Sequence, residues 1–414
     1  MKVLWLVNLT LPEPAKALGF GNNPVGGWLI GQREQLKHSV SLVICSIDAR
    51  VKQPAFLTID AVDYAVLPTG SREEFSALLQ NAQPDLVHLW GSENPAAPAL
   101  VSLCSPERIL LSAQGIMTPY TEHLLDGVPE KYCRSSPLQK LATVIDRGEL
   151  LDRELAFYQE QSKKEAALLV GLRHVTGRTP WDKAELAALA PHAAYYVCNE
   201  TLRPGFFSAR WQGGPQKPVL FLSQGNQPRK GLHWLLQALP PVLEKCPDLT
   251  LHIAGWPMVK KGPLLEPLLR LLLPYQTYLK KLIRKYHLEK QVVWLGCLNE
   301  ADMRAALLQS SIFVMPSSLE NSPNSLGEAM LLGMPCIATD AGGTAGMLTN
   351  GKEGILYAPE DVPALTAAIL SLLDDPAKAR RYGDAARERA LVTHDPVRNG
   401  QAMLKIYRTI LKEE

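Results

Sequence analysis

The sequence predicts an α/β protein with two doubly wound domains. Two observations lead to this prediction. Apolar runs of strand length alternate with segments of helix length through both halves of the chain, which is typical of parallel sheets with helices on both faces. The 414 residues are 46% hydrophobic and 20% charged, which is the composition of a globular protein long enough for two or three domains.

The predicted strands fall into two series, separated by a polar segment that contains Gly and Pro. The first series lies at 3–7, 41–47, 85–89, 108–112, 174–176 and 195–198. The second lies at 219–222, 249–254, 292–295, 312–315, 335–338 and 354–359. We predict an interdomain linker at 208–217, an N-terminal domain at 1–207 and a C-terminal domain at 218–393. Helices are predicted at 363–373, 376–391 and 396–412.

The segment 312–343 places two acidic residues beside the start of a helix. An apolar strand, a polar turn, a helix and a second strand make one βαβ unit. Ligands of such units bind outside the carboxyl ends of the strands, where the helix N-terminus offers N–H groups. Glu320 in the turn and Glu328 in the helix are therefore predicted to bind hydroxyls beside phosphates. Other interpretations remain open, because Ser325 and Glu328 also fit a capping box and Glu320 fits a solvated loop acid.

The order of residues in this segment resembles the signature of retaining GT-B glycosyltransferases of family 4. The matching residues are Glu320, Glu328, Ala329-Met330, Gly333, Pro335 and Gly342-Gly343, with seven residues between the two Glu. The resemblance implies the GT-B fold, in which two Rossmann-like domains face a cleft. It also implies that the final helix, 394–414, returns to the N-terminal domain. The family often has a Glu after the double glycine, whereas Thr344 stands here.

The same resemblance implies roles for the residues of this segment. The donor would be a nucleotide-diphosphate sugar, with no separate cofactor. Glu328 would hold the ribose hydroxyls and Glu320 the sugar hydroxyls. The amides of Asn324, Ser325 and Leu326 would bind the diphosphate. Gly342 and Gly343 would lie at the same site. The sugar would be transferred with retention of its anomeric configuration.

Two glycine-bearing loops are further candidates for phosphate binding. The loop 223–231 ends in Arg229-Lys230-Gly231 before an apolar helix, and glycine with cations at a helix start suits a diphosphate. Lys230 matches the family, but Asn226 stands where the family has Arg. Either Arg229 substitutes for it, or the site has one cation fewer. Gly26-Gly27 ends a long first loop, and the resemblance implies that it lies against the donor phosphates and the acceptor.

Several polar residues follow strands of the first half. In many members of the family a His occupies the position of Gln114, so we predict that Gln114 orients substrate and does not exchange protons. His88 is predicted to be a core residue. Glu200 and Arg203 are predicted to form an ion pair, and Arg178 to end a strand near the cleft. The blocks 176–184 and 199–207 resemble those of enzymes that make bacterial cell-surface polysaccharides.

Charge and motif content narrow the function further. The net charge of +2 gives no reason to expect nucleic acid binding, and no D-x-D sequence occurs, so we predict no metal. The region 256–290 has eight Lys or Arg and two Glu, a net of +6. Its helix is predicted to pack on the core with a solvated basic face, or to contact anionic lipid. Scattered cysteines and the short first apolar run favour a cytoplasmic location. Contact of the basic region with anionic lipid would place the protein peripherally on the inner membrane face.

We therefore predict a metal-independent glycosyltransferase for surface polysaccharide synthesis, with a saccharide or a lipid-linked saccharide as acceptor. Two alternatives remain: a nucleotide-sugar epimerase of the same fold, and a non-catalytic sugar-binding protein. A dinucleotide oxidoreductase is disfavoured, because G-x-G-x-x-G does not follow the first strand. The nucleotide base, the sugar, the linkage and the oligomeric state are not predicted.

Overall fold

The structure is a computed structural model that describes residues 1–20, 26–134, 151–255 and 274–412. The chain divides into two compact units. The first unit contains Met1–Thr118, Gln161–Pro204 and Thr393–Glu414, and the second contains Pro119–Glu160 and Gly205–Val392. Within the described ranges, the first unit has one sheet of eight strands and the second has one sheet of six strands. The prediction of an α/β protein with two doubly wound domains is confirmed.

The sheet of the first unit has the strand order β3-β4-β2-β1-β5-β6-β7-β8. The strands are β1 (Lys2–Val7), β2 (Ser41–Ile47), β3 (Ala55–Ile59), β4 (Val62–Leu67), β5 (Leu86–Trp90), β6 (Ile109–Ser112), β7 (His174–Gly177) and β8 (Ala194–Val197). All neighbouring strands are parallel except β3 and β4. Because β1 pairs with β2 on one side and β5 on the other, the winding of the chain reverses there.

The hairpin of β3 and β4 was not predicted. Its two turn residues, Asp60 and Ala61, have φ angles of 52° and 62°. Two successive positive φ values are what a type I′ hairpin turn requires, and Asn-Gly or Asp-Gly is the usual signal for it. Asp-Ala is a weaker signal. Residues alternate between half-buried and exposed along β3, but its sequence is apolar at four of five positions and does not show this alternation.

The sheet of the second unit is parallel, with the order β11-β10-β9-β12-β13-β14. Its strands are β9 (Val219–Leu222), β10 (Thr250–Ala254), β11 (Val292–Gly296), β12 (Ile312–Met315), β13 (Cys336–Thr339) and β14 (Ile355–Tyr357). β10 and β11 lie on one side of β9, and β12, β13 and β14 lie on the other. The carboxyl ends of β9 and β12 are therefore neighbours, and both candidate loops of this unit begin there.

Helices connect most of the strands. The α-helices of the described residues are α1 (Pro12–Ala17), α2 (Gly27–Leu36), α3 (Arg72–Ala82), α4 (Ala97–Val101), α5 (Met117–Glu122), α6 (Glu130–Cys133), α7 (Leu151–Gly171), α8 (Pro180–Leu189), α9 (Gly205–Ser208), α10 (Leu232–Lys245), α11 (Pro274–Lys285), α12 (Glu300–Leu308), α13 (Asn324–Leu332), α14 (Thr344–Met347), α15 (Val362–Asp374), α16 (Pro376–Thr393) and α17 (Pro396–Leu411). Short 3-10 turns lie at Pro106–Arg108 and Pro228–Lys230.

The last helix, α17, packs within the first unit. Met403, Ile406, Tyr407 and Ile410 are buried in a cluster with residues of β1, β2 and α2. The Tyr407 hydroxyl accepts a hydrogen bond from Trp5 Nε1 at 2.9 Å. It also lies 2.7 Å from His88 Nδ1. The helix is thus attached to the central strand β1 and to β5 by apolar contacts and by buried hydrogen bonds.

The borders of the second unit differ from the predicted domain borders. Val128 and Leu151 belong to its hydrophobic core, and Tyr132 stacks on Tyr278 at 5.1 Å between ring centroids. The described part of 119–160 therefore groups with the second unit. The segment predicted as linker also groups with it, because Trp211 is buried and its Nε1 donates to Ser310 O at 2.8 Å.

The basic helix α11 packs its apolar face into the core of the second unit. Tyr275, Tyr278, Leu279 and Leu282 are buried there, while Lys281, Arg284 and Lys285 are exposed. This agrees with a core-packed helix that has a solvated basic face. The remainder of the basic region, 256–273, lies outside the described residues. Across the described ranges, no helix combines the length and the apolar content needed to span a membrane.

Candidate functional site

A buried carboxylate follows β12 in the second unit. Glu320 is only 5% exposed. Its Oε1 accepts hydrogen bonds from Lys230 Nζ at 2.6 Å and from Ser317 Oγ at 2.8 Å. Its Oε2 lies 3.6 Å from Arg229 Nη1. Glu320 is thus not a solvated loop acid, and two cations from the loop after β9 converge on it.

Backbone contacts fix the distance between the cation loop and the end of β12. Gly231 has a φ of 71° and precedes α10. A Cβ at this position would lie 1.8 Å from the Pro316 carbonyl oxygen, so only glycine fits without a backbone shift. The Ser318 amide also donates to Arg229 O at 2.8 Å. Lys230 and Glu320 are therefore held together by their main chains as well as by their charges.

Arg229 is immobilised on several sides. Its Nη1 donates to Leu319 O at 3.0 Å, and its guanidinium carbon lies 4.2 Å from the centroid of the Tyr120 ring. Its Nε is buried and has no hydrogen-bond partner among the described residues. The sequence left open whether Arg229 replaces the cation missing at Asn226. The structure shows two cations at Glu320, and Arg229 is one of them.

Burial and charge act in opposite directions on this cluster. Burial favours a raised pKa for Glu320, but Lys230 and Arg229 outweigh it, and that pKa is lowered. Burial lowers the pKa of Lys230, and the attraction of Glu320 offsets this only in part. Burial also acts to lower the pKa of Arg229, but Glu320 and Tyr120 raise it. Two cations against one carboxylate leave a net positive charge, which suits a phosphate group.

Glu328 lies in α13 and is 5% exposed. The N-cap of the helix is Pro323, with no side-chain hydrogen bond, so the capping box of Ser325 and Glu328, which was the alternative interpretation, is not formed. Capping therefore does not explain why an acid stands at Glu328. The Leu326 amide donates to Pro323 O at 3.1 Å, so it has a partner within the chain, and its role in diphosphate binding stays a prediction. Asn324 and Ser325 form the first turn, as predicted.

The double glycine after β13 positions the main chain of Glu320. Gly343 N donates to Glu320 O at 2.8 Å. Gly342 has a φ of 60°, and a Cβ there would lie 2.2 Å from the same carbonyl oxygen. Gly342 and Gly343 therefore hold the carboxylate loop by close backbone approach, which explains the need for glycine at this place.

In the first unit, Gln114 is part of a buried polar chain. Its Nε2 donates to Glu200 Oε1 at 2.5 Å, and Glu200 Oε2 lies 2.8 Å from Arg178 Nη1. The side chains of this ion pair are only 5% and 6% exposed. Arg178 thus forms an ion pair with Glu200. Arg203 instead places its aliphatic carbons beside Gly27, where a Cβ would lie 2.3 Å from Cγ.

Gly26 and Gly27 begin α2 in the first unit. Gly26 has a φ of 95°, and a Cβ there would lie 2.8 Å from a methyl carbon of Leu9. Packing against Leu9 and Arg203 accounts for both glycines within the described residues. The preceding loop residues 21–25 lie outside them.

His88 is a core residue, as predicted. It is fully buried between Tyr407 and Ser112, whose Oγ lies 2.7 Å from its Nε2. Burial lowers the pKa of His88 to about 3, so it is neutral at physiological pH. It has a structural role in the attachment of α17.

The group around Glu320, called here the Glu320 cluster, consists of Lys230, Arg229, Ser317 and Tyr120, and the last two were not predicted from the sequence. Ser317 could have been found, because it stands three residues before the acid in the same turn. Tyr120 lies about a hundred residues earlier in the chain, and no local signal links it to Arg229. Its hydroxyl also accepts a hydrogen bond from the Asn321 amide at 3.3 Å.

Residues 208–389, which contain the Glu320 cluster's cations and carboxylate, match the family model of group 1 glycosyl transferases. Over 212 residues the chain is 30% identical to the glycogen synthase of Mycobacterium tuberculosis H37Rv, covering 50% of this chain and 47% of that protein. It is 28% identical over 225 residues to the GDP-mannose-dependent alpha-(1-6)-phosphatidylinositol monomannoside mannosyltransferase of Mycolicibacterium smegmatis, covering 50% and 54%. The chain spans about half the length of these curated relatives.

A solved structure resembles the chain over its whole length. The sucrose-phosphate synthase of Thermosynechococcus elongatus aligns over 100% of both chains with a TM-score of 0.72 and 17% identity. At this identity the likeness concerns the fold. The predicted GT-B fold is confirmed.

Proposed function

We propose that the protein is a glycosyltransferase that moves a sugar from a nucleotide-diphosphate sugar to a saccharide or a lipid-linked saccharide. The observation that carries this proposal is the buried Glu320 with Lys230 and Arg229 at the carboxyl ends of β9 and β12. A carboxylate suits sugar hydroxyls, and the excess positive charge beside it suits a diphosphate. The match of 208–389 to group 1 glycosyl transferases supports the same assignment.

Each residue of the cluster has a proposed role. Lys230 and Arg229 bind the diphosphate, together with the main-chain amides of Asn324 and Ser325 at the start of α13. Glu320 accepts hydrogen bonds from hydroxyls of the donor sugar, and Glu328 from those of the ribose. Fixed cations and dipoles aimed at a developing negative charge lower the barrier more than most other devices. The nucleotide sugar is a substrate, and we propose no separate cofactor.

The reaction is proposed to retain the anomeric configuration and to need no metal. The bond from the anomeric carbon to the phosphate oxygen breaks, and the acceptor oxygen bonds to the same face of that carbon. The departing phosphate takes the proton of the acceptor hydroxyl. Gln114, held by Glu200, is proposed to orient the donor sugar. Activity should survive EDTA, and nuclear magnetic resonance of the first product should show the anomeric form of the donor.

We propose a role in surface polysaccharide synthesis on the cytoplasmic side, with peripheral contact at the inner membrane face. The mannosyltransferase of Mycolicibacterium smegmatis is named for a phosphatidylinositol-borne acceptor, which supports a lipid-linked acceptor class. The charged face of α11 is the one that could contact lipid, because its apolar face is buried in the core of the second unit. Each cation near an anionic surface contributes about 1 kcal/mol. Replacement of Lys280, Lys281, Arg284 and Lys285 by Ala should reduce co-sedimentation with anionic liposomes, and equal binding would refute the contact.

A thermal-shift screen with UDP-glucose, GDP-mannose and ADP-glucose tests the donor class. We expect one of them to raise the melting temperature, and we expect Glu328→Ala to abolish that shift while the variant stays folded. Turnover is then measured with the donor that binds. If none of the three shifts the wild-type protein, and none is consumed with a panel of saccharide acceptors, the proposed function is wrong.

Two other functions give different results in the same assays. A nucleotide-sugar epimerase would convert the donor alone into an isomeric sugar, with no acceptor. A non-catalytic sugar-binding protein would show a shift with free saccharides and no turnover with any donor. The charged cluster favours a transferase over the second alternative, because a saccharide by itself gives no reason to bury two cations.

A further inference from the structure

The first unit has a polar site of its own at the switch point of its sheet. β1 lies between β2 and β5, so the winding reverses between β1 and β5. Ligands of doubly wound sheets bind beyond the carboxyl ends of the strands at this point. Here those ends are followed by Asn8 after β1 and by Gly91, Ser92 and Glu93 after β5.

Glu93 is held over the end of β5, and one of its carboxyl oxygens accepts no hydrogen bond from another described residue. Asn8 Nδ2 donates to Glu93 Oε1 at 2.6 Å. Gly91 has a φ of 99°, and a Cβ there would lie 2.4 Å from Glu93 Oε2. The glycine thus lets the carboxyl group fold back onto the strand end. Oε2 is buried and has no hydrogen-bond partner from another described residue. Buried polar atoms without a partner are rare, and they often mark the place of a ligand or a water.

The surroundings of Glu93 exclude an anionic ligand. No Lys or Arg of the described residues forms an ion pair with it. A second buried carboxyl, Glu165, accepts hydrogen bonds from Ser92 Oγ and from the Met117 amide, the latter at 2.8 Å. Burial raises the pKa of Glu93 to about 7, and the charges of Glu165 and Glu200 add to the rise. A phosphate would be repelled here, whereas a neutral hydroxyl would find an acceptor, and a donor when the carboxyl is protonated.

We propose that Glu93 binds a hydroxyl group of a neutral saccharide acceptor through Oε2, with Asn8 holding the carboxyl in place. This inference rests on the proposed function, because an acceptor is needed only by a transferase. Glu93 is a specificity-determining residue in this proposal, and no proton transfer is assigned to it. It adds to the donor residues of the second unit a hydroxyl-binding group in the first.

Saturation-transfer NMR on the full chain tests the proposal with four neutral probes: methyl α-D-glucopyranoside, methyl α-D-mannopyranoside, methyl α-D-galactopyranoside and maltotriose. We expect at least one probe to receive saturation from the wild-type protein. Glu93→Ala should weaken its dissociation constant about tenfold, the loss that follows removal of a hydrogen bond to a charged group. Glu93→Gln keeps an acceptor oxygen and should lose less.

Glu107→Ala is the matched control. Glu107 is an exposed acid that precedes β6, so it lies at the amino ends of the parallel strands, whereas Glu93 lies at their carboxyl ends. This variant should bind the probe like the wild type. The nucleotide-sugar shift is recorded for each protein. If that shift is absent from the wild type and no donor is consumed, the proposed function fails. If the shift persists while no probe binds the wild type, or Glu93→Ala binds it equally well, only the role of Glu93 is refuted.

Discussion

Glu320 and Glu93 each follow a parallel strand, one in each unit, but the charges around the two carboxyl groups differ. Glu320 is buried with Lys230 and Arg229 beside it, and those charges lower its pKa against the effect of burial. Among the described residues, Glu93 accepts a side-chain hydrogen bond from the amide of Asn8 and has no cation beside it, and burial raises its pKa to about 7. One residue type is thus held ionised in one unit and close to half-protonated near pH 7 in the other.

This difference separates the kinds of ligand that the two places suit. A carboxylate with an excess of cations beside it binds a ligand that brings both hydroxyls and phosphates. A carboxyl group without a cation binds hydroxyls alone. Environments that push the pKa values of two acids apart often assign them different tasks. In the proposed transferase, the second unit holds the charged donor and the first holds a neutral acceptor.

The largest effect is expected from the cations beside Glu320. Lys230→Ala should lower turnover of the donor about 10²–10³-fold, the range seen when one group that stabilises a developing negative charge is removed. Turnover is measured with the donor found in the thermal-shift screen. Lys290→Ala, which removes an exposed lysine of the same unit, is the matched control. Turnover by Lys230→Ala within about threefold of the wild type would contradict the role of this cation.

The two carboxyl groups also differ in how their glycines support them. A Cβ at Gly231 would meet the main-chain oxygen of Pro316 at 1.8 Å, whereas a Cβ at Gly91 would meet the end of the Glu93 side chain. Gly231→Ala should therefore cost about 2–5 kcal/mol of unfolding free energy, from left-handed strain plus a backbone clash. Gly91→Ala should cost less, because the Glu93 side chain can rotate away. Both are measured by denaturant unfolding.

Gly351 supplies the reference for strain alone. Its φ is 75°, and nothing lies within 4 Å of a Cβ placed there. Gly351→Ala should cost about 1–2 kcal/mol. If Gly231→Ala costs no more than Gly351→Ala, the cation loop is not fixed by its main chain.

The fold could be predicted from the sequence, and the residues proposed for the charged site could be singled out, for physical reasons that particular residues show. Strands buried on both sides, such as 312–315, appear as continuous apolar runs, and Gly231 and Gly333 mark helix ends. Lys230 and Glu320 were predicted because each lies next to such a signal. The turn of β3 and β4 was missed because Asp60-Ala61 lacks the usual glycine.

Contacts between distant parts of the chain could not be predicted in this way. Tyr120 contacts Arg229, and Glu93 contacts Asn8, across more than eighty residues of sequence in each case. The assignment of 119–134 to the second unit depends on Tyr132 and Tyr278, which share no local pattern. The capping alternative for Glu328 was plausible by spacing, and only the position of Pro323 as the cap excludes it.

The smallest expected effect is on stability as a function of pH, and here the two acids should behave in opposite ways. Glu320 has a lowered pKa in the folded state, so its contribution to stability is present above its unfolded pKa and is lost as the pH falls. Glu93 has a raised pKa, so the folded state binds the extra proton between the ordinary value of 4.5 and about 7. Its contribution is therefore lost as the pH rises through that window.

Melting temperatures of Glu320→Gln and Glu93→Gln, measured against the wild type from pH 4 to pH 8, test these signs. Glu320→Gln should be less stable than the wild type at pH 7, with a gap that narrows toward pH 4. Glu93→Gln should be nearest the wild type at pH 4 and should gain relative to it by a few degrees at pH 8, since about 1 kcal/mol moves the melting temperature by about 2–4 °C in a chain of 150–250 residues and by less in a longer one. Glu165 and Glu200 are present in both proteins, but their charges repel only the ionised Glu93 of the wild type, so they add to the expected gain of Glu93→Gln at high pH. Parallel pH profiles for the two variants would mean that Glu320 and Glu93 do not differ in charge state, and the division of tasks between the units would lose its electrostatic basis.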